Sequence, residues 1–316
     1  MTTVTKAVKF TGKGIHSGAP VTMTVRPRAA RGIVFRRTDI KGSGDIIARY
    51  DNVGETKMRN TTIGDMRGAH VQTIEHVMAA LFMAGVDAAV VDIDGPETPI
   101  LDGSAAIFFD KISAAVDTPA DMMRIVVRRR VVAHAREIVR TLPRMARIKL
   151  WFFNLISGRR ADGYVELAPN DGKTLDIRAT LVYREKIIGT QSYDYSFDGT
   201  KRAATNFVKN IARARTFGKY SEWEYLKARG MARGADETNI IALNDAGDAT
   251  LNATIWPDEF VRHKIIDALG DMFTSGGFVL GKLTTYKGSH ALNNLVLKKL
   301  FSDANNYDII NPKDKK

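Results

Sequence analysis

Apolar and polar side chains alternate over residues 3–10 and again over 20–25. That period of two predicts strands with one buried face. Gly12-Lys13-Gly14 and Ser17-Gly18 lie between them and predict a tight, glycine-shaped connection. The period then lengthens. Ile74, Val77, Met78 and Leu81 recur at helical spacing and predict a helix over 71–83. Residues 86–93 read as a buried strand, followed by the turn-rich Asp94-Gly95-Pro96-Glu97-Thr98-Pro99. A second helix is expected from Asp102-Gly103-Ser104 to about residue 115, with the Asp and Ser side chains placed to cap its first turn. Residues 117–121, which include Thr118-Pro119, predict a linker.

Beyond the linker the same two periods recur. Strands are predicted at 124–132, 163–167, 175–181 and 278–286, and helices at 206–212, 221–228, 259–272 and 291–301. The tail from Ser302 is polar, ends in Lys313-Asp314-Lys315-Lys316, and is expected to fray. These elements predict an α+β protein of two domains, 1–120 and 121–301, with 302–316 as a polar tail.

Composition narrows the chemistry. The chain has 316 residues, 44% of them hydrophobic, which is ample for two cores. It has no cysteine, so disulfides and thiolate metal sites are excluded and any metal must rest on His, Asp or Glu. Residues 1–14 lack the apolar core of a signal peptide. The longest apolar stretch, 78–93, is broken by Asp87 and too short to span a bilayer. A cytoplasmic protein is therefore expected. The net charge of +12 invites a nucleic-acid reading, yet residues 128–160 hold ten basic residues against Glu137 alone. The basicity belongs to one segment, and no nucleic-acid-binding motif accompanies it.

Candidate chemistry concentrates in the predicted helix 259–272. His263 and Asp267 stand four residues apart, so they share a helix face and can converge on one metal ion. Asp271 continues the same stripe. Polar groups buried beside Ile265, Ile266 and Leu269 are costly unless something pairs with them. His76 follows Glu75 directly, a pair that alone also fits a solvated helix end. His290 sits at a loop-to-helix junction, where a capping or exposed histidine is the simpler reading. His16, His70 and His134 need no functional role, and His16 is expected to shape the glycine-rich turn.

Six stretches, in order, resemble the zinc-dependent UDP-3-O-acyl-N-acetylglucosamine deacetylases of lipid A synthesis. They are Gly12-Lys13-Gly14-Ile15-His16-Ser17-Gly18, Glu75-His76, residues 96–105, Ala214-Arg215-Thr216-Phe217-Gly218, residues 260–271, and Ser289-His290-Ala291-Leu292-Asn293-Asn294. The resemblance implies two domains, each a β-sheet packed on helices, with the helical layers facing each other and the active site between them. It implies one catalytic zinc held by His76, His263 and Asp267, although iron also suits an N/O site. Glu75 becomes the general base, and Thr216 and protonated His290 stabilise the oxyanion. His290 also serves as general acid, with Asp271 keeping it charged. Lys264 meets the diphosphate or sugar of an acylated UDP-sugar. Phe217, Tyr220, Trp223, Leu226 and Met231, which read by themselves as a local core, become the wall of an acyl-chain passage. Lys219 stands where family members often carry an apolar residue.

One segment departs from that pattern. Residues 133–161 replace a short hairpin and combine basic residues with Trp151, Phe152 and Phe153. Three readings stand side by side: a tolerated surface insertion, an anchor to an anionic membrane at its inner face, and a nucleic-acid contact. The opposing class for the whole chain is a non-catalytic basic binding protein using 128–160.

Overall fold

The computed structural model describes residues 1–54, 60–117, 122–141, 143–145 and 162–311. Strands β1 (Val8–Lys13) and β2 (Pro20–Arg26) form the expected hairpin, with Val8, Phe10, Val21, Met23 and Val25 buried. Next come β3 (Gly32–Arg37), β4 (Asp45–Ile47), the short pair β5 (Ile63–Gly64) and β6 (His70–Val71), helix α1 (Glu75–Met83), β7 (Ala88–Ile93) and helix α2 (Ala106–Ser113). The first sheet has the order β1-β2-β7-β3-β4, with only β3 and β7 parallel.

The second half contributes β8 (Arg124–Val127), β9 (Val131–His134), α3 (Ala135–Thr141), β10 (Tyr164–Ala168), β11 (Leu175–Val182) and β12 (Thr190–Phe197). It continues through α4 (Lys201–Asn210), β13 (Phe217–Lys219), α5 (Tyr220–Lys227), β14 (Ile241–Leu243), α6 (Glu259–Phe273), β15 (Phe278–Tyr286), α7 (His290–Phe301) and β16 (Tyr307–Ile310). Its main sheet runs β12-β11-β15-β10-β9, and β8 and β16 extend the far end of β15.

Among the described helices, α1 and α6 pack against each other most extensively, and they lie between the sheets. Every residue of α1 is buried, as are thirteen of the fifteen in α6. Gly270 makes the approach tight, since a methyl group there would lie 2.0 Å from the Glu75 carbonyl oxygen. The Phe82 ring meets those of Phe197, Phe273 and Phe278 at 5.1, 5.2 and 5.3 Å, which carries α1 into the second sheet. Each such buried ring contributes roughly 1.5–3 kcal/mol. The two helices that carry the candidate ligands are thereby held in register.

Several elements differ from the sequence reading. Helix α1 begins at Glu75, not 71, because Thr73 adopts φ +60° and Val71 pairs with Ile63. Helix α4 starts at Lys201, where the Thr200 hydroxyl accepts the Ala203 N–H at 3.2 Å, a side-chain N-cap. The strand expected over 124–132 is two strands. The Arg128 and Arg129 N–H groups leave the ladder for the Asn306 carbonyl, and β9 crosses to pair with β10. The tail from Ser302 does not simply fray. Asn306 Nδ2 donates to the Lys299 and Leu300 carbonyls at the end of α7, and β16 then pairs with β8. The sequence reading contains no counterpart of strands β3–β6, β12–β14 and β16 or of helix α3. The β9–β10 pairing places His134 opposite Tyr164, so the extra segment rises from a hairpin. Its residues 142 and 146–161, and residues 118–121 of the expected linker, lie outside the described residues. Among the described residues no helix is long and apolar enough to cross a membrane.

Candidate active site

The i, i+4 pair on α6 meets the first turn of α1. His263 Nε2 lies 3.4 Å and His76 Nε2 3.8 Å from Asp267 Oδ1, and all three side chains are buried. One donor atom from each falls within 4.8 Å of the others, a spacing that one metal ion can bridge. The two imidazoles meet edge to face, with centroids 5.0 Å apart. His263 Nδ1 stands 3.0 Å from the Ala214 carbonyl, which can only accept, so Nδ1 carries the proton and Nε2 is left as donor to a metal. Ala214 is fixed in turn by Arg215, whose guanidinium and backbone N–H both bind the fully buried Glu259 at the start of α6. Burial pushes His76 down to about 3 and lowers His263 as well, which keeps both rings neutral as metal ligation requires. Burial would raise Asp267. The Lys264 ammonium, 2.8 Å from its Oδ2, and the protonated His290 ring outweigh that and hold it well below the usual carboxylate range. Two neutral imidazoles and an ionised carboxylate therefore fit a divalent cation.

The acid–base groups flank this cluster. Glu75 is buried and accepts the Thr61 N–H at 2.9 Å, and burial pushes its carboxyl up to about 7. His290, at the first turn of α7, is 2.8 Å from Asp271 Oδ2 through Nδ1 and 3.9 Å from Asp267 Oδ2 through Nε2. Burial alone would lower His290, but the Asp271 and Glu75 carboxylates override it and raise it to about 10. Asp271 also accepts Asn293 Nδ2 at 2.8 Å and the Thr61 hydroxyl at 2.5 Å. The stripe on α6 thus serves two purposes, with Asp267 toward the metal ligands and Asp271 toward His290.

A cavity of about 340 Å³ opens beside Glu75, His76, His263 and His290. Thr216 lines it, anchored by backbone bonds to the Gly103 carbonyl and from Ile241. Away from these polar groups the walls are Ile15, Ile100, Phe217, Trp223, Leu226, Met231 and Ile240, with Lys219 and Glu222 among them. Lys219 is not loose, because its Nζ lies 2.9 Å from Glu185. Tyr220 is the exception among the expected passage residues. It faces outward, more than a third exposed, and buttresses Trp223 edge to face at 5.2 Å. The His16 ring lines the cavity, a placement its sequence context did not signal, while its backbone N–H binds Glu97. Buried Glu97 also accepts Ser17 and the Thr73 hydroxyl, so it ties the glycine-rich turn to a residue two positions before α1. Among the described residues, the non-glycine positions with positive φ are Thr73, Leu101, Ala232 and Lys287; Thr73 and Ala232 line the cavity, and Leu101 follows its lining residue Ile100. Each costs roughly 1–2 kcal/mol that the surrounding contacts must offset.

A family model for UDP-3-O-acyl N-acetylglycosamine deacetylases matches residues 1–302. The chain belongs to this deacetylase family. It is 36% identical over 313 residues to the UDP-3-O-acyl-N-acetylglucosamine deacetylase of Myxococcus xanthus, covering 98% of this chain and 88% of that one. The Aliivibrio fischeri enzyme of the same name is 33% identical, covering 95% and 90%, and that of Sulfurovum is 35% identical, covering 99% and 95%. The deacetylase family match runs through the basic segment on both sides.

The basicity that raised the nucleic-acid alternative is partly neutralised in place. Arg128 pairs with Asp308, Arg129 with Asp303 and Arg130 with Glu166. These exposed pairs add little stability, but they turn three of the segment's cations toward the protein's own carboxylates. Thr61, Asn293, Glu97 and Glu259 are the supporting residues that sequence reasoning missed. Asn293 and Glu97 carried a signal, through their places in the stretches 289–294 and 96–105.

Proposed function

We propose that this chain hydrolyses the N-acetyl group of UDP-3-O-(3-hydroxyacyl)-N-acetylglucosamine, releasing acetate in an early committed step of lipid A biosynthesis. The observation that carries this reading is the convergence of His76, His263 and Asp267 beside Glu75 and His290, at one end of an apolar-walled cavity, in a chain of the deacetylase family. A zinc ion held by the three ligands, or iron in its place, would supply Lewis-acid polarisation of the amide carbonyl and acidification of water. Glu75 takes the proton from the attacking water. Its burial makes that carboxylate a stronger base than an exposed one. The Thr216 hydroxyl and protonated His290 stabilise the oxyanion. His290 then gives its proton to the departing amine as the C–N bond breaks. Asp271 holds that proton on the ring until it is needed.

Lys264 faces the diphosphate or sugar as a cation, and Phe217, Trp223 and Leu226 receive the acyl chain, with Tyr220 supporting Trp223 from outside. The site then lies between two units, 1–120 with Glu75 and His76, and 121–301 with His263, Asp267 and His290. The test is acetate release from the acylated UDP-sugar. Wild-type protein should turn it over, and His263→Ala should lose both metal and turnover. Wild-type protein that retains zinc but releases no acetate would defeat the reading.

Segment 133–161 adds a peripheral contact. Arg136, Arg140, Arg144, Arg147 and Lys149 beside Trp151, Phe152 and Phe153 suit the anionic face of a membrane. The substrate's acyl chain makes such a location chemically sensible. Deleting 134–161 is expected to leave zinc content and turnover largely intact, because Ala133 still pairs with Val165 and residues 162–164 can close the short turn between them. Co-sedimentation with anionic vesicles should fall. Unchanged co-sedimentation would rule the contact out.

A further inference from the structure

Thr61 touches both carboxylates that flank the metal-ligand cluster. Its backbone N–H donates to Glu75 Oε2 at 2.9 Å, and its hydroxyl donates to Asp271 Oδ1 at 2.5 Å. Its carbonyl accepts the Ile74 N–H at 3.3 Å, just ahead of α1. Thr61 is buried, and its neighbour Asn60 is braced by the Thr62 and Thr73 side chains. A single residue from the loop before β5 therefore holds one carboxylate on α1 and another on α6.

A carboxylate has two oxygens with two lone pairs each, and a fixed donor on one oxygen sets the rotation of the group and hence where the other points. Thr61 fixes Oε2 of Glu75 and so sets the orientation of Oε1. It likewise fixes Oδ1 of Asp271, so that Oδ2 receives both His290 Nδ1 and Asn293 Nδ2, each at 2.8 Å. We propose that Thr61 is a positioning residue that selects the working oxygen of both carboxylates, orienting the base and the partner of the acid together. The proposal rests on the deacetylase reading of the site.

Thr61→Val keeps the side-chain shape and the backbone N–H but deletes the hydroxyl, leaving Asp271 Oδ1 buried without that donor. Removing a hydrogen bond to a buried charge of this kind should lower kcat about 10- to 100-fold. KM should stay near the wild-type value, because the hydroxyl lies behind the carboxylate and away from substrate. Zinc content should be unchanged, and Thr61→Ser should restore kcat. Independently of turnover, the low-field proton resonance of His290 Nδ1–H should move in Thr61→Val and return in Thr61→Ser. Wild-type kcat together with an unmoved resonance would overturn the proposal, as would loss of zinc in parallel with kcat, which marks a purely structural residue. If wild-type protein releases no acetate, the deacetylase reading fails, while the resonance still decides the role of Thr61.

Discussion

Replacing Glu75 with Gln should leave the metal bound and lower turnover by about a hundred- to ten-thousandfold, the usual worth of a positioned general base. The side chain is not one of the three converging ligands, so metal content should match that of the wild type. Gln keeps the shape and can still accept the Thr61 N–H through its amide oxygen. It also removes a buried carboxylate whose charged form is disfavoured by desolvation, so thermal stability should hold or rise. Metal analysis, a melting curve and acetate release on one preparation check all three. Loss of metal in this variant would move Glu75 from base to ligand, and retained turnover would remove it from the reaction.

Turnover should follow a bell-shaped pH profile with its two limbs set by different groups. Glu75 must be ionised to accept a proton. Burial raises its carboxyl to about 7, so activity falls as the pH drops through that region. His290 must be protonated to donate. Burial opposes its charge, but the Asp271 and Glu75 carboxylates raise it to about 10, so activity falls as the pH rises through its pKa. A divalent cation beside both groups draws both limbs to lower pH without reversing their order. In Asp271→Asn the largest support for the imidazolium charge is gone, and the alkaline limb should move to lower pH. The acidic limb should move less, because Asp271 is a minor contributor to the rise at Glu75. An alkaline limb that stays in place would detach it from His290.

Much of this site was legible because its chemistry is periodic. His263, Asp267 and Asp271 fall on one stripe of α6, and a 3.6-residue period can be read from sequence alone. His76 lies nearly two hundred residues away, and nothing in local spacing joins it to that stripe; the family resemblance did. Thr61 illustrates what spacing cannot show. A threonine in a polar loop carries no periodic signal, and its importance arises only when α1 and α6 close on either side of it. Glu97 is similar, since it reads as part of a turn but is buried among the donors of His16, Ser17 and Thr73. Strands β3, β4 and β16 escaped for a different reason. Strands β4 and β16 are short and edge-lying, whereas β3 lies inside its sheet and reads as the unbroken apolar run Ile33-Val34-Phe35 without alternation. Strand β16 is stabilised by Asn306 and by pairing with β8 rather than by its own apolar content.

Acetate release by metal-stripped protein during stepwise addition of zinc tests the central claim most directly. Activity should be absent at the start, rise with zinc, and level off near one ion per chain, as expected if His76, His263 and Asp267 form a single catalytic site. Full activity without metal, or no acetate at any zinc level, would contradict the account.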